Sequence, residues 1–331
     1  MGEVIFYKTD EIFYKMWQNI KSDKNVFVGG QWGNMKLHVE GTRLVNEVGE
    51  QVQLRGVSSH GLQWYPEYIN ADALKTLRDD WKANVFRLAM YTMEGGFLDG
   101  ANQEEQFNLI DAGVRITKEL GMYCLIDWHI LADYNPNDHI EEAKKFFDRV
   151  SKKYASEDHV IYEICNEPNM DVKWPEVKKY ADEVISVIRK NDKENVILVG
   201  TPTWSQDVDL VAENPVADPH NVMYVLHFYA ATHKDDLRNK AVKAINDGTP
   251  IFISEFSICD ASGNGEIDYD SAAKWVELID KYKLSFIGWN LSNKDESSAV
   301  LLPNCTKLSN WKEEDLNETG IWLRNTLRSK A

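Results

Sequence analysis

Cysteine is scarce, four in 331 residues, and no two are spaced as Cys-x-x-Cys. That excludes a thioredoxin-type redox motif and a zinc ribbon. Cys124 and Cys165 lie in apolar runs and Cys259 and Cys305 in loops, so four free, inert thiols are expected. Basic residues are outnumbered: 37 Lys and Arg against 53 Asp and Glu give a formal net charge of −16. No local basic patch offsets this, so no nucleic acid and no membrane is expected as a partner, and a neutral or cationic one fits better. No run reaches the roughly 20 apolar residues of a membrane helix. Residues 1–30 are no signal peptide, because Lys8, Asp10, Glu11, Lys15 and Lys21 break up their apolar positions. The chain is therefore either cytosolic or a mature segment whose export signal has been removed. A Gly-x-Gly-x-x-Gly turn is also missing. The first strand candidate runs instead into Ser58-Ser59-His60-Gly61, which argues against a doubly wound nucleotide-binding sheet.

The 43% hydrophobic content over this length suits one α/β barrel or two ordinary domains, and the 11% aromatic content excludes a disordered chain. Strand-like apolar runs fall at 52–58, 85–91, 123–129, 160–167, 196–201, 222–229, 251–256 and 285–291. Amphipathic helical periods fall at 71–81, 104–120, 140–154, 176–190, 235–245, 271–282 and 321–328, with a weak one at 209–213. Eight buried-type strands alternating with helices predict a single-domain (β/α)₈ TIM barrel. Residues 37–48 read as an N-terminal β-hairpin that plugs the barrel's bottom. The expected domains are thus an extension over 1–35 of unknown role and a catalytic domain over 36–331. Phe6, Tyr7, Phe13, Tyr14 and Trp17 suit an amphipathic helix, a remnant of a preceding module or a vector-derived extension.

In such a barrel the C-terminal strand ends face the functional site. Here they carry His60, Arg87, Tyr91, His129, Asn166, Glu167, His227, Tyr229 and Glu255. Buried strands reject ionisable groups unless these are paired. Singly, Glu167 and Glu255 read equally well as structural carboxylates, for instance in a salt bridge with Arg87. Together, ending the fourth and seventh strands, they face each other across the barrel mouth. Two carboxyls about 5–5.5 Å apart share one proton and suit retaining glycoside hydrolysis. With Arg87 and Tyr229 beside it, Glu255 would be the ionised nucleophile and Glu167 the acid. His60, His129 and His227 also invite a zinc reading. Against it, no His-x-His pair ends the first strand and no strand-end Asp cluster completes a two-metal site, so no metal is expected. Trp64, Trp204 and Trp289 follow strand ends, where flat rings would stack on sugar faces. Trp81, Trp174, Trp275 and Trp322, on helices, belong to core packing.

The ordered motifs Leu54-Arg55-Gly56-Val57-Ser58-Ser59-His60-Gly61-Leu62-Gln63-Trp64, Val85-Phe86-Arg87, Asp127-Trp128-His129, Asn166-Glu167-Pro168, His227-Phe228-Tyr229, Ser254-Glu255-Phe256 and Trp289-Asn290-Leu291-Ser292-Asn293-Lys294 carry a resemblance. From about residue 37 onward the chain resembles family 5 of the glycoside hydrolases, in particular the bacterial endo-1,4-β-glucanases (cellulases). The resemblance implies Glu167 as acid/base, Glu255 as nucleophile, and Asn166 bonding the sugar's 2-hydroxyl. It implies donor-side sugar contacts from His60, Trp64, Trp289, Lys294 and Glu296, an acceptor-side platform at Trp204, and no cofactor. Met170, after Asn-Glu-Pro-Asn, departs from the glycine frequent in relatives, which bears on the acceptor-side loop. The expected activity is endo-hydrolysis of a β-1,4-glucan polysaccharide, cellulose or mixed-linkage β-glucan, with β-mannan, xyloglucan or xylan as the alternative. A sugar-binding barrel without activity would have lost a catalytic glutamate, and both are present. A polymer too large to enter a cell implies an extracellular, secreted enzyme. A monomer is expected, either alone or as part of a multimodular enzyme.

Overall fold

The computed structural model describes residues 36–331, and the expectations for residues 1–35 lie outside that range. Strand β1 (Leu37–Glu40) pairs antiparallel with β2 (Arg43–Asn46). Gly41 supplies the left-handed turn between them, with φ +61°. Leu37 and Leu44 then pack onto Leu54, Leu125, Leu198, Phe252 and Ile287, inward residues near the starts of the barrel strands. The hairpin therefore closes the bottom of the barrel, as its sequence predicts.

Eight parallel strands follow: β3 (Arg55–Ser59), β4 (Val85–Tyr91), β5 (Tyr123–His129), β6 (Val160–Glu163), β7 (Ile197–Val199), β8 (Val222–Tyr229), β9 (Ile251–Ser257) and β10 (Phe286–Leu291). They close in chain order, with β10 pairing back onto β3. Every strand residue is buried, because both faces are covered, which is why the sequence reads as continuous apolar runs. The helices α1 (Ala71–Asp79), α2 (Gln103–Leu120), α3 (Ile140–Tyr154), α4 (Trp174–Asn191), α5 (Asp235–Asn246), α6 (Tyr269–Tyr282) and α7 (Glu318–Ser329) form the outer layer. Asn102 caps α2 by accepting the backbone N–H groups of Glu104 and Glu105, and Gly121 ends it in the left-handed region. Between the layers, Trp275 of α6 stacks on Phe228 of β8 at 4.0 Å. Trp128 of β5 points outward and packs on Phe97 and Phe146.

Three strands, β3, β6 and β7, are at least two residues shorter than their apolar runs. Val52 donates its N–H to Leu44, so residues 51–54 belong to the bottom hairpin and β3 starts at Arg55. The run 160–167 leaves the ladder after Glu163, although Ile164 to Glu167 remain buried. After β7 the helix is replaced by a tight turn at Pro202–Ser205 and a 3₁₀ turn at Val208–Leu210, which matches the weak helical signal there.

β3 and β4 approach so closely at Gly56 that a Cβ there would lie 1.9 Å from the carbonyl oxygen of Val85. Gly56→Ala must push two paired backbones apart. It is expected to destabilise the barrel by about 1–3 kcal/mol in urea unfolding, with an unchanged m-value.

Candidate active site

Strand alternation sorts the barrel interior into layers. Val85, Leu125, Ile161, Val225 and Phe252 fill the lower interior. Two residues further along β4, β5 and β6 the inward positions become Arg87, Asp127 and Glu163, all with no exposed surface. β9 breaks the alternation. Its register against β8 shifts between the Val225 and His227 pairings, a bulge that lets the consecutive residues Ser254 and Glu255 both reach inward partners.

Arg87 is the hub of the polar layer. Its Nε and Nη2 donate to the two oxygens of Glu163 at 2.8 and 3.2 Å, and Nη1 donates to Glu255 Oε2 at 3.0 Å. Nη2 also donates to Asn166 Oδ1 at 2.7 Å and lies 3.0 Å from Asp127 Oδ2. Burial disfavours the charged guanidinium, but Asp127, Glu163 and Glu255 outweigh burial and hold its pKa above the ordinary value. Burial pushes Asp127 and Glu163 up to about 7 each, with Arg87 opposing.

The hydrogen-bond partners assign the protons. Ser254 Oγ donates to Glu163 Oε1 at 2.7 Å, so its lone pair accepts Nε2–H of His227 at 3.0 Å. Burial first, then Arg87 and His129, push the His227 pKa well down, so the ring carries one proton. Its Nδ1 is then an acceptor, and Glu167 Oε1, 2.8 Å away, must donate. Glu167 is therefore a carboxylic acid. Burial, and then the charge on Glu255, raise its pKa well above the ordinary value. Glu255 differs: it accepts from Arg87 and, at 2.8 Å, from Tyr229 Oη. Burial raises its pKa too, but Arg87, His129 and Tyr229 all oppose that. One oxygen of Glu167, one of Glu255 and a ring nitrogen of His227 lie within 4.8 Å of one another.

On the opposite wall, His129 Nδ1 bonds Asp127 Oδ2 at 2.6 Å, and its Nε2 accepts from Asn166 Nδ2 at 3.2 Å. The other amide proton of Asn166 goes to the carbonyl of Ile130 at 3.0 Å. His60 Nδ1 accepts the N–H of Gly61 at 2.6 Å, while its Nε2 faces Lys294 and Glu296. Burial holds the His60 pKa down at about 3. The three histidines weighed as zinc ligands thus spend their nitrogens on separate protein partners and do not converge. The donors of Glu167, His227 and Glu255 do come together, but Arg87 already supplies the positive charge at Glu255.

The cleft is lined by His60, Trp64, Tyr91, His129, Glu167, Trp204, His227, Tyr229, Glu255, Trp289, Lys294 and Glu296, which brings twelve of the fourteen sequence candidates to one surface. Arg87 and Asn166 do not line it. They lie fully buried behind Glu255 and His129, where their hydrogen bonds are taken by protein groups. Trp289 is not on the rim as expected but within β10, 6% exposed and stacked on His129 at 5.3 Å. Trp64 and Trp204, 42% and 38% exposed, are the open rings. Trp204 is presented by three successive left-handed residues, Thr203, Trp204 and Ser205. Their turn is braced by Ser205 Oγ donating to the carbonyl of Asn166 at 2.6 Å and Trp204 N–H donating to that of Pro168 at 3.0 Å. Sequence reasoning missed Glu163 and Ser254 and gave Asp127 no role. The desolvation argument applied to Glu167 holds equally for Glu163, an acid four residues earlier in the same apolar run.

Residues 45–295 match the family model for cellulase, glycosyl hydrolase family 5. Among curated relatives, Endoglucanase A of Butyrivibrio fibrisolvens is 48% identical over 292 residues, 87% of this chain and 67% of that protein. Endoglucanase A of Evansella cellulosilytica is 47% identical over 285 residues, covering 86% of this chain and 58% of its own length. The chain therefore spans between about half and two thirds of the length of these relatives. Among solved structures, the cellulase Cel5C_n superposes with a TM-score of 0.87 at 45% identity, covering 91% of this chain and 94% of that one. The catalytic domain of an endoglucanase from Thermobifida fusca, crystallised with cellotetraose, gives 0.85 at 36% identity, covering 88% of this chain and 97% of that one.

Arg87→Met would leave Asp127, Glu163 and Glu255 buried without their cation. The expected loss is about 3–5 kcal/mol at neutral pH. The orphaned carboxyls would have folded-state pKa values above their unfolded ones. Their penalty is therefore full above those folded values and shrinks as pH falls toward the unfolded carboxylate range. Urea unfolding of both proteins at pH 5 and pH 7.5 measures the difference, and a pH-independent loss would contradict this account.

Proposed function

Since the chain belongs to glycosyl hydrolase family 5, the cellulases, and is a glycoside hydrolase, we propose that it cuts internal β-1,4 bonds of cellulose or mixed-linkage β-glucan by double displacement with retention. Glu255 is the nucleophile and Glu167 the acid/base. One observation carries this reading: the two carboxyls lie close together, with Glu167 Oε1 against Nδ1 of His227 and Glu255 accepting from Arg87 and Tyr229. Inverting pairs stand about 6.5–9.5 Å apart to admit a water, while retaining pairs sit at about 5–5.5 Å. Oxygens within 4.8 Å favour the second class.

In the first step a Glu255 oxygen attacks the anomeric carbon while Glu167 gives its proton to the departing glycosidic oxygen. Arg87 and Tyr229 keep Glu255 ionised beforehand. Esterification removes the charge on Glu255 that had raised the Glu167 pKa. Glu167, now ionised, faces the lone pair of His227 Nδ1, an arrangement that makes it a better base. It takes a proton from water as that water attacks the ester, and the original states return. This chemistry needs no cofactor.

Trp64, with His60, Lys294 and Glu296, would hold sugars on the donor side, and Trp204 on the leaving-group side. Asn166 would act mainly by orienting His129, since its amide is committed to protein partners. The domain spanning residues 36–331 would be the catalytic unit, acting outside the cell where the polymer is.

Initial rates on carboxymethylcellulose, mannan, xyloglucan and xylan test the substrate, and faster release from mannan would displace the glucan assignment. Glu167→Ala should lower glucan hydrolysis by about 10²–10⁴-fold while an activated aryl β-cellobioside still gives a burst. Equal loss on both substrates would refute the acid role.

Ser254 is a positioning residue for that acid. Without its hydroxyl, His227 is free to carry its proton on Nδ1 and donate to the ionised form of Glu167, lowering the Glu167 pKa. Ser254→Ala should therefore move the basic limb of the kcat/KM–pH profile to lower pH and leave the acidic limb, set by Glu255, in place. A profile merely scaled down would mean that Ser254 has only a packing role.

A further inference from the structure

Ten residues other than glycine hold a left-handed backbone among the described residues. Among the same residues, eight large apolar side chains are exposed. Three residues are in both groups: Tyr134 (φ +52°, 46% exposed), Met170 (φ +55°, 58%) and Trp204 (φ +55°, 38%). They come from the loops after β5, β6 and β7, which are neighbours around the barrel. Bulky side chains are disfavoured in this conformation, which glycine adopts freely, and glycine fills seven other left-handed positions among the described residues. Exposed apolar side chains in strained positions gain nothing from the core, so their presence points to a function at the surface.

The three loops are tied together and to the acid. Buried Asn169 donates its backbone N–H to the carbonyl of Tyr134 at 3.2 Å. Its side chain donates to the carbonyls of Leu131 and Glu167, both at 2.9 Å. Pro168 accepts the N–H of Trp204 at 3.0 Å. Asp133 fixes the Tyr134 loop by accepting from Leu131 N–H at 3.0 Å and from Thr92 Oγ1 at 2.8 Å. Trp204 lines the cleft with Glu167, whereas Tyr134 and Met170 are not among the lining residues and are joined to that wall through the backbone and side chain of Asn169.

We propose that Tyr134 and Met170 continue the apolar surface of Trp204 outward and bind a further glucosyl unit of the leaving chain. The proposal rests on the preceding assignment of Glu167 as the acid, which makes this the leaving-group side. A neutral glucan suits the surface: its axial C–H faces stack on apolar groups and need no charge from a chain of net −16. The backbone strain is then the cost of a preformed platform, and relieving it should stabilise the protein while weakening its hold on long substrates.

The test is Tyr134→Gly and Met170→Gly, singly and together, assayed on cellohexaose and on an aryl β-cellobioside whose leaving group is too short to reach the surface. KM for cellohexaose should rise about 3- to 10-fold in the double variant with kcat little changed. Kinetics on the aryl substrate should stay at wild-type values, and Tm should hold or rise. An unchanged KM for cellohexaose would overturn the proposal. So would an equal loss on both substrates, which would mean damage at Glu167. Loss of self-association in sedimentation velocity, with unchanged KM, would assign the patch to a second copy of the chain instead. A wild-type protein inactive on both substrates would count against the assigned reaction alone. Calorimetric binding of cellohexaose would still test the surface, with the same 3- to 10-fold weakening expected.

Discussion

A guanidinium with no solvent contact sits between three carboxylates in the upper barrel, and the polar architecture of the cleft is arranged around it. Removing Arg87 from water costs several kcal/mol, and its three acidic neighbours offset that cost only by being removed from water themselves. From this one cation two lines of contact run to the cleft. The short one reaches Glu255 directly and favours its ionised form. The long one passes through Glu163, Ser254 and His227 and reaches Glu167 as a lone pair, which favours the protonated form. A single fixed charge thus stabilises opposite proton states on two glutamates whose oxygens are within 4.8 Å.

That arrangement depends on departures from regular strand geometry. In an unbroken β9, Ser254 and Glu255 would point to opposite faces, and one of the two lines would be cut. The register shift against β8 brings both to the interior. On β6, leaving the ladder after Glu163 lets one segment supply a residue to the buried layer and another, Glu167, to the open cleft. The barrel below remains regular because its apolar layer has no such demand.

The sequence was legible where physics leaves few choices. Continuous β-branched runs separated by helical periods allow little but a closed parallel barrel, and an acid at the end of an apolar run must be paired or functional. Glu167, Glu255 and ten of the twelve other candidate residues accordingly meet in one cleft. What stayed hidden depends on side-chain direction and on irregularity. Nothing in Ile251-Phe252-Ile253-Ser254 announces a bulge, so Ser254 reads as an outward neighbour of Glu255. Arg87 sits within β4 rather than at its end, and Asn166 lies beyond the end of β6; both belong to the buried layer beneath the cleft. Trp289 shares the ending pattern of Trp64 and Trp204 but lies inside a strand rather than beyond one.

Glu167, standing beyond the ladder, lacks the sheet bonds that fix Glu163, and side chains from its own loop and the next hold the backbone there instead. Ser205 Oγ bonds the carbonyl of Asn166, and Asn169 Nδ2 bonds that of Glu167 itself. Ser205 ends the same left-handed turn that presents Trp204, and Asn169 is the residue that ties down Tyr134. Glu167, the proposed acid, and the apolar groups of Tyr134 and Trp204 therefore share one support. In the proposed reaction a sugar chain settling on Trp204 would press on the segment that aims the carboxyl, so binding far from the reacting bond would be expressed in the alignment of the proton with the departing oxygen. Binding energy used in that way lowers the barrier rather than only deepening the ground-state complex. Substrates too short to reach Trp204 would then be handicapped in kcat as well as in KM, whereas the outer contacts of Tyr134 and Met170 bear on KM alone.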